Sequence, residues 1–368
     1  MEGIRGLAVL LVFFVHFEGI FGGYLAKGTL AASILVFAGT VGHAGVDLFF
    51  VLSGYLIYGL LIRKDTPYFT FVRRRVQRIY PAFFAVFCAY IVLSLLIPQQ
   101  SKIHGTVLQK AVYVAQNLLF LPGIVNIRPI ITVAWSLSLE FFFYLVMPLL
   151  VWVSHMRSWK PSSRIIFLIL LWVAHLLACT WIPILKPRMA EFTTGALLCE
   201  LIRSGRLRNL LRSWGQGIAA FVFLLGISLL MIERSTAPTG VNLGSPIGIG
   251  PGIVAPLSGG CLLLVLFACH VDGWLNRTFT WTPIRWLGNM SYSYYLIHGL
   301  ALKAVGFAIA LSGLRIGGAV ISYFVLLPIA FAATWTAATL LFVLVEKPFS
   351  IRARKPTPAV KVAAAAAQ

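Results

Sequence analysis

The sequence predicts an all-α polytopic membrane protein, and its composition is the first reason. Of its 368 residues, 60% are hydrophobic and only 11% are charged, and the mean hydropathy is +0.91. Soluble globular domains carry about 25% charged residues, so the composition excludes that class. The formal net charge is +20. In so apolar a chain this excess indicates a topological role and contacts with anionic lipid or phosphate rather than nucleic acid.

The length of the apolar stretches is the second reason. A helix needs about 20 apolar residues to cross ~30 Å of hydrocarbon, and ten stretches approach that length. They lie near residues 4–24, 41–62, 80–98, 131–153, 164–183, 189–203, 215–233, 251–270, 288–308 and 318–344. The sixth is the shortest. Residues 107–121 are amphipathic instead, which indicates an interfacial or re-entrant helix.

The distribution of basic residues is the third reason. With the N-terminus inside and ten spans, 21 of the 30 Lys and Arg residues fall on the inside and eight outside, and Lys303 lies within the ninth span. This bias predicts that both termini are cytoplasmic. The chain is expected to form one membrane domain, 1–350, followed by a short disordered tail, 351–368, rich in Pro and Ala.

The first stretch, Ile4 to Tyr24, carries the polar residues Arg5, His16 and Glu18. Its length and these residues argue against a cleaved signal peptide. Eleven helical steps bring Arg5 and His16 to one face, roughly 16 Å apart along the axis, so His16 is expected near mid-bilayer. An ionisable residue at that depth predicts a functional site. The alternatives are an orienting charge for Arg5 and a helix-to-helix tie for His16.

Three further groups are expected to converge on the same depth: Asp47 in span two, Glu140 in span four and His298 in span nine. A histidine beside a carboxylate suits general-base catalysis, because the carboxylate holds one ring nitrogen and leaves the other to accept a proton. Ser138, in the same run as Glu140, is expected to give support with Asp47 and His298. The alternative is that these groups only cross-link helices by hydrogen bonds.

A cluster of arginines follows span two: Arg73, Arg74, Arg75 and Arg78. Arginine forks bind phosphate bidentately, so the cluster suits a polyphosphate ligand. A stop-transfer signal or an anionic-lipid contact is equally compatible. No glycine-rich loop accompanies it, so a nucleoside triphosphate or NAD site is not indicated. The five cysteines form no CxxC pair, and no metal site is predicted.

Together these stretches resemble acyltransferase family 3, the integral membrane O-acyltransferases of bacterial surface polysaccharides and some secondary metabolites. The resemblance is carried by Arg5 and His16, Gly45-Val-Asp-Leu-Phe-Phe-Val-Leu-Ser-Gly54, Arg75-Val-Gln-Arg78, Trp135-Ser-Leu-Ser-Leu-Glu140, Ser291-Tyr-Ser-Tyr-Tyr-Leu-Ile-His298 and Glu346-Lys-Pro348. This ordered set covers nearly the whole chain. One departure is that Phe141 and Phe142 follow Glu140, where relatives often have a second acid.

The resemblance implies that His16 is the catalytic histidine, that Glu140 supports it, and that Arg5, Arg74, Arg75 and Arg78 serve an acyl-coenzyme A donor. It further implies transfer of an acyl group, expected to be acetyl, to a carbohydrate hydroxyl outside the bacterial inner membrane. A thioester is already activated, so no metal is required. The alternatives are a proton-coupled transporter or flippase, whose spans should form related halves, and a non-catalytic scaffold.

Overall fold

The computed structural model describes residues 1–24, 29–182, 184–205, 215–236, 250–312 and 320–351. Within those ranges the protein is built from α-helices without any β-strand, which confirms the predicted fold class. The helices are α1 (Glu2–Phe21), α2 (Leu30–Gly42), α3 (Ala44–Arg63), α4 (Tyr68–Leu96), α5 (Val107–Leu118), α6 (Ala134–Val153), α7 (Pro161–Trp181), α8 (Ala190–Arg203), α9 (Gly215–Thr236), α10 (Pro251–His270), α11 (Trp274–Thr280), α12 (Thr282–Asn289), α13 (Ser291–Ser312) and α14 (Val320–Leu341), which continues as a π-helix over Phe342–Ile351.

Nine helical stretches in the described part of the chain are long and apolar enough to cross a membrane. They coincide with nine of the ten predicted spans. The exception is the predicted span 189–203, which forms α8, a helix of 14 residues. At ~1.5 Å per residue α8 is roughly 21 Å long, shorter than ~30 Å of hydrocarbon. Most of its residues are nevertheless buried against other helices.

Two glycines of the Gly45–Gly54 run let α3 approach its neighbours closely. A Cβ added at Gly45 would lie 2.5 Å from the carbonyl oxygen of Ala8 in α1. One added at Gly54 would lie 2.0 Å from the carbonyl oxygen of Phe192 in α8. Small residues of this kind allow helix backbones to pack in a membrane. The run therefore fixes α3 between α1 and α8.

The segment between α4 and α6 is folded over the helices rather than extended. It contains α5, which begins with a capping box formed by Thr106 and Gln109. The side chain of Asn117 accepts a hydrogen bond from the backbone N–H of Ile130 at 2.8 Å. Lys102 Nζ donates to the carbonyl oxygens of Pro129 and Ile130 at 2.8 and 3.0 Å. These bonds hold residues 123–133 in place as one wall of a cavity described below.

The predicted tail, 351–368, lies outside the described residues except for Ile351. The predicted location of both termini in the cytoplasm stays a prediction.

Candidate active site

Helix α1 connects two cavities. Arg5 lines a cavity of about 140 Å³, which we call the arginine cavity because Arg75 and Arg78 also line it. His16 lines a cavity of about 630 Å³, which we call the lysine cavity because Lys102, Lys186 and Lys303 line it with Arg128. Eleven helical steps, roughly 16 Å, separate Arg5 from His16. The two predicted residues therefore face two different cavities along one helix.

In the arginine cavity, a carboxylate and two aromatic rings position Arg75. Glu140 accepts hydrogen bonds from the hydroxyls of Tyr144 and Ser53. The Arg75 guanidinium carbon lies 5.8 Å from the centre of the Tyr144 ring and 5.3 Å from that of Phe71. Stacking between aromatic faces suits a guanidinium, which is planar and weakly hydrated. Glu140 thus fixes the tyrosine against which Arg75 packs.

Arg78 is held by a second carboxylate, Glu346. Arg78 Nη1 lies 2.8 Å from Glu346 Oε1, and Glu346 is completely buried. Glu346 Oε2 accepts hydrogen bonds from the backbone N–H of Ser293 at 3.2 Å and from its hydroxyl at 2.5 Å. The first turn of a helix has unpaired N–H groups, which a carboxylate stabilises. Glu346 therefore joins Arg78 to the start of α13.

The remaining predicted arginine, Arg74, does not line the arginine cavity. It is exposed on α4, as is Arg73. Both lie within one turn of Arg75, so they extend the positive charge from the cavity onto the surface of the protein.

His16 packs against His298, as the predicted convergence of these groups required. The ring centres are 4.8 Å apart and the rings meet edge to face. His298 is fully buried, and its Nδ1 lies 3.0 Å from the carbonyl oxygen of Tyr294. A carbonyl can only accept, so Nδ1 carries the proton and Nε2 of the neutral ring is an acceptor. That Nε2 has no hydrogen-bond partner among the described residues.

The structure corrects the expected relation between Glu140 and His16. Glu140 lines the arginine cavity and His16 lines the lysine cavity, and no hydrogen bond joins them in the described part of the chain. The Glu140 carboxylate is bound to Tyr144 and Ser53 instead. The prediction was based on depth in the bilayer alone, which does not specify which side of a helix bundle each residue faces.

Tyr295 and Val46 line both cavities and form a septum between them. The Tyr295 hydroxyl lies 2.5 Å from that of Ser136 and 3.4 Å from the Val133 carbonyl oxygen. The Tyr295 ring also contacts Phe49, with centres 5.8 Å apart. The side chain of Tyr295 is thus positioned at both its ring and its hydroxyl.

Like Arg74 and His298, the predicted residues Asp47 and Ser138 line neither cavity. Asp47 is fully buried and paired with Arg188, with Oδ2 and Nη1 2.8 Å apart. Arg188 also donates to the His43 carbonyl oxygen at 3.3 Å. Ser138 donates to the carbonyl oxygen of Ala134 in its own helix at 2.9 Å. These contacts support the structural alternative for both residues.

The lysine cavity is lined by four basic residues that were not among the predicted site residues: Lys102, Arg128, Lys186 and Lys303. Lys303 lies in the middle of α13, between apolar residues, and depth alone could have marked it as functional. Lys102 gives no such signal, because its place follows from the folding of the segment around it. Burial, and then the charges of Lys303 and Arg128, lower the pKa of Lys102 to about 8. Burial also lowers the pKa of Lys186.

Residues 1–343 match the family of acyltransferase domains known as Acyl_transf_3. The chain belongs to this family. Helix α1, both cavities and all the predicted site residues lie within the matched range.

Relatives of this chain include an O-acetyltransferase, an exopolysaccharide production protein and an acyltransferase. It is 23% identical to peptidoglycan O-acetyltransferase OatA of Listeria monocytogenes over 81% of this chain and 48% of the relative. It is 26% identical to exopolysaccharide production protein ExoZ of Rhizobium meliloti over 76% of this chain and 81% of the relative. It is also 26% identical to acyltransferase MdmB of Streptomyces mycarofaciens, over 82% of this chain and 78% of the relative.

The chain spans about half the length of the Listeria protein and of a Bacillus subtilis relative. No solved structure is significantly similar to it.

Proposed function

We propose that this protein is an O-acyltransferase of the bacterial cytoplasmic membrane that transfers an acyl group, expected to be acetyl, from coenzyme A to a carbohydrate hydroxyl. The observation that carries the proposal is the arrangement of α1, which brings Arg5 to one cavity and His16 to the other. The names of the relatives, which include peptidoglycan and exopolysaccharide proteins, support a carbohydrate acceptor.

In this proposal the arginine cavity receives the donor from the cytoplasm. Its volume of about 140 Å³ is too small for a whole coenzyme A but suits the slender arm that ends in the thioester. Arg5, Arg75 and Arg78 line it, and the exposed Arg74 lies beside it on α4. Guanidinium groups bind phosphates through bidentate, charge-assisted hydrogen bonds. We assign the phosphates of coenzyme A to these arginines at the mouth of the cavity, where Arg78 is 32% exposed and Arg74 lies on the surface. We assign the arm to the interior of the cavity and the thioester to the septum at Tyr295.

His16 then acts as the base. It takes the proton of the acceptor hydroxyl as the oxygen attacks the thioester carbon, and the carbon–sulfur bond breaks as the tetrahedral intermediate collapses. The proton passes from the imidazolium to the departing thiolate, so the products are the ester and free coenzyme A. His298, rather than Glu140, orients the imidazole, because its ring is in contact with His16 and its Nε2 is available to accept a hydrogen bond from a His16 ring N–H.

The test uses the full chain, purified into nanodiscs and supplied with acetyl-coenzyme A. Release of coenzyme A should be abolished in His16→Ala and unchanged in His104→Ala, a control histidine that is exposed. General-base catalysis contributes ~10²–10⁴-fold to a rate. Full release by the His16→Ala protein would refute the mechanism. Movement of a solute across the bilayer without thioester cleavage would favour the transporter alternative.

Two further measurements separate roles within the site. Replacing Arg75 by Gln should weaken coenzyme A binding about tenfold, whereas the exposed control Arg73→Gln should change it little. His298→Gln should lower kcat at least tenfold with the KM for the donor unchanged, and should change the shape of the pH–rate profile. A structural role for His298 would reduce the amount of folded protein without changing that profile. Acyl groups trapped on His16 after rapid quenching would instead indicate a two-step relay.

A further inference from the structure

The lysine cavity has an unusual set of charges for a site that receives a sugar. Four cationic side chains line it, those of Lys102, Arg128, Lys186 and Lys303, and no carboxylate is among the described residues that line it. The cavity has a volume of about 630 Å³. Pockets that bind small molecules usually have volumes of ~300–1,000 Å³. It can therefore hold part of a glycan in a strongly positive field.

Three of these cations are not neutralised within the described structure. The side chains of Arg128, Lys186 and Lys303 make no hydrogen bond or ion pair with any described residue. Lys186 is only 6% exposed. Arg128 and Lys303 are exposed where they line the cavity, and Lys303 lies in the middle of a membrane-spanning helix. A charge in such a place is costly unless a partner compensates it. A negatively charged ligand in the cavity would supply that partner.

Lys102 has a different part in the site. Its ammonium donates to the carbonyl oxygens of Pro129 and Ile130 and lies 3.2 Å from the hydroxyl of Thr132. It therefore holds the cavity wall in place and adds to the field without being needed for direct contact with a ligand.

The same cavity offers an aromatic surface to a sugar ring. Trp135 and Tyr295 line it beside His16. The guanidinium carbon of Arg188 lies 5.9 Å from the centre of the Trp135 ring, and Arg188 is anchored by Asp47. The indole is thus supported by a fixed group. Aromatic faces, cations and a base close to one another suit a sugar that carries both a hydroxyl and a negative charge.

We infer that the lysine cavity binds acceptor glycans that carry a carboxylate or phosphate close to the hydroxyl that is acylated. This inference rests on the proposed function and names the class of its acceptor. Lys303, Arg128 and His16 line the same cavity, so an anion bound by the two cations would favour placements of the glycan in which a hydroxyl reaches His16.

The test measures binding of matched glycans to the full chain in nanodiscs of neutral phosphatidylcholine. Trigalacturonate and its methyl ester present the same ring hydroxyls but differ in charge. We expect the charged glycan to bind at least tenfold more tightly by calorimetry, a difference that shrinks at high salt because ions screen exposed charges. A sugar monophosphate in a parallel titration distinguishes a phosphate from a carboxylate as the preferred anion.

Variants then locate the charge preference. The double variant Lys303→Gln/Arg128→Gln should bind the acid and the ester equally. Lys110→Gln is the matched control, because Lys110 is exposed on α5 and does not line the cavity. Equal binding of the two glycans by the unmodified protein, failure of both to bind, or a preference that survives the double variant would overturn the inference. Loss of the preference on adding vesicles that contain anionic lipid would assign the cavity to a lipid headgroup and would also overturn it.

Release of coenzyme A is measured in the same samples, with each glycan and with water alone as the acceptor. If release occurs with any of them while glycan binding shows no charge preference, the acceptor class is wrong and the proposed function stands. If release is absent from the unmodified protein with both glycans and with water alone, the proposed function itself fails.

Discussion

Replacing Glu346 by Gln should destabilise the protein and weaken its binding of coenzyme A together, because one carboxylate holds both Arg78 and the start of α13. The change removes a charged acceptor that lies 2.8 Å from Arg78 Nη1. The two hydrogen bonds that Ser293 donates to the carboxylate can then be made only to a neutral amide. Breaking a buried ion pair costs about 3–5 kcal/mol. Arg78 is 32% exposed, so solvent partly screens the pair. We therefore expect Glu346→Gln to lower the free energy of unfolding by about 3 kcal/mol, the lower end of that range.

A matched control is the pair between Glu2 and Arg285. Its atoms lie 2.9 Å apart, but the side chains are 45% and 49% exposed. Exposed pairs contribute only about 0.2–1 kcal/mol, so Glu2→Gln should change stability by no more than that. The two variants remove the same chemistry at nearly the same distance, and burial is the main difference between them.

The free energy of unfolding can be measured by titration with dodecyl sulfate in mixed micelles, followed by tryptophan fluorescence. A loss of ~3 kcal/mol changes the unfolding equilibrium roughly 150-fold. Coenzyme A binding by the folded Glu346→Gln protein should fall about tenfold, because Arg78 is no longer held toward the cavity. Equal stability of the Glu346→Gln and Glu2→Gln proteins would refute the reasoning.

Two other predictions concern packing and pH. Gly54→Ala places a Cβ 2.0 Å from the Phe192 carbonyl oxygen. It should lower the free energy of unfolding by at least about 1–3 kcal/mol in the same titration. In the control Gly217→Ala, in α9, the added Cβ meets no atom within 4 Å, so the free energy of unfolding should be unchanged or raised by up to ~1 kcal/mol. Equal effects of the two substitutions would contradict the packing argument. Because the pKa of Lys102 is about 8, its ammonium is charged below that pH and neutral above it. The dissociation constant for trigalacturonate should therefore rise between pH 7 and pH 9. Burial also lowers the pKa of Lys186, and loss of its charge at rising pH would act in the same direction. Lys102→Arg should reduce this dependence because arginine stays protonated, and a dissociation constant that does not vary with pH in the unmodified protein would contradict it. The other basic groups that line the cavity are Lys303, Arg128, His16 and His43.

The fold could be predicted largely from the sequence because each span is a local property. A stretch of apolar residues of the right length forms a helix in lipid whatever its neighbours are. The limits appear where packing decides. Helix α8 is buried by its contacts with α3 although it is too short for a standard span, and α2 lies in a region where no span was predicted.

The candidate site was predicted unevenly for a similar reason. Arg5 and His16 are on one helix, so their spacing could be read from the sequence. Glu346 contacts Arg78 across 268 positions of the chain, and only the folded bundle brings them together. The partner of His16 is His298 rather than Glu140, because the rotation of each helix about its own axis decides which side chains meet.

The septum at Tyr295 has a chemical consequence for any enzyme that faces two compartments. A thioester that met water in the lysine cavity would hydrolyse and waste the donor, since an imidazole that activates a sugar hydroxyl also activates water. Tyr295 is hydrogen-bonded to Ser136 and packs against Phe49. In the proposed function it would therefore separate a thioester in the arginine cavity from water in the lysine cavity. The ring of Tyr295 also contacts that of His298, with centres 5.9 Å apart. A glycan that fills the lysine cavity would displace water and contact both Tyr295 and His16. Binding of the acceptor would therefore be coupled to a displacement of Tyr295 that opens the septum.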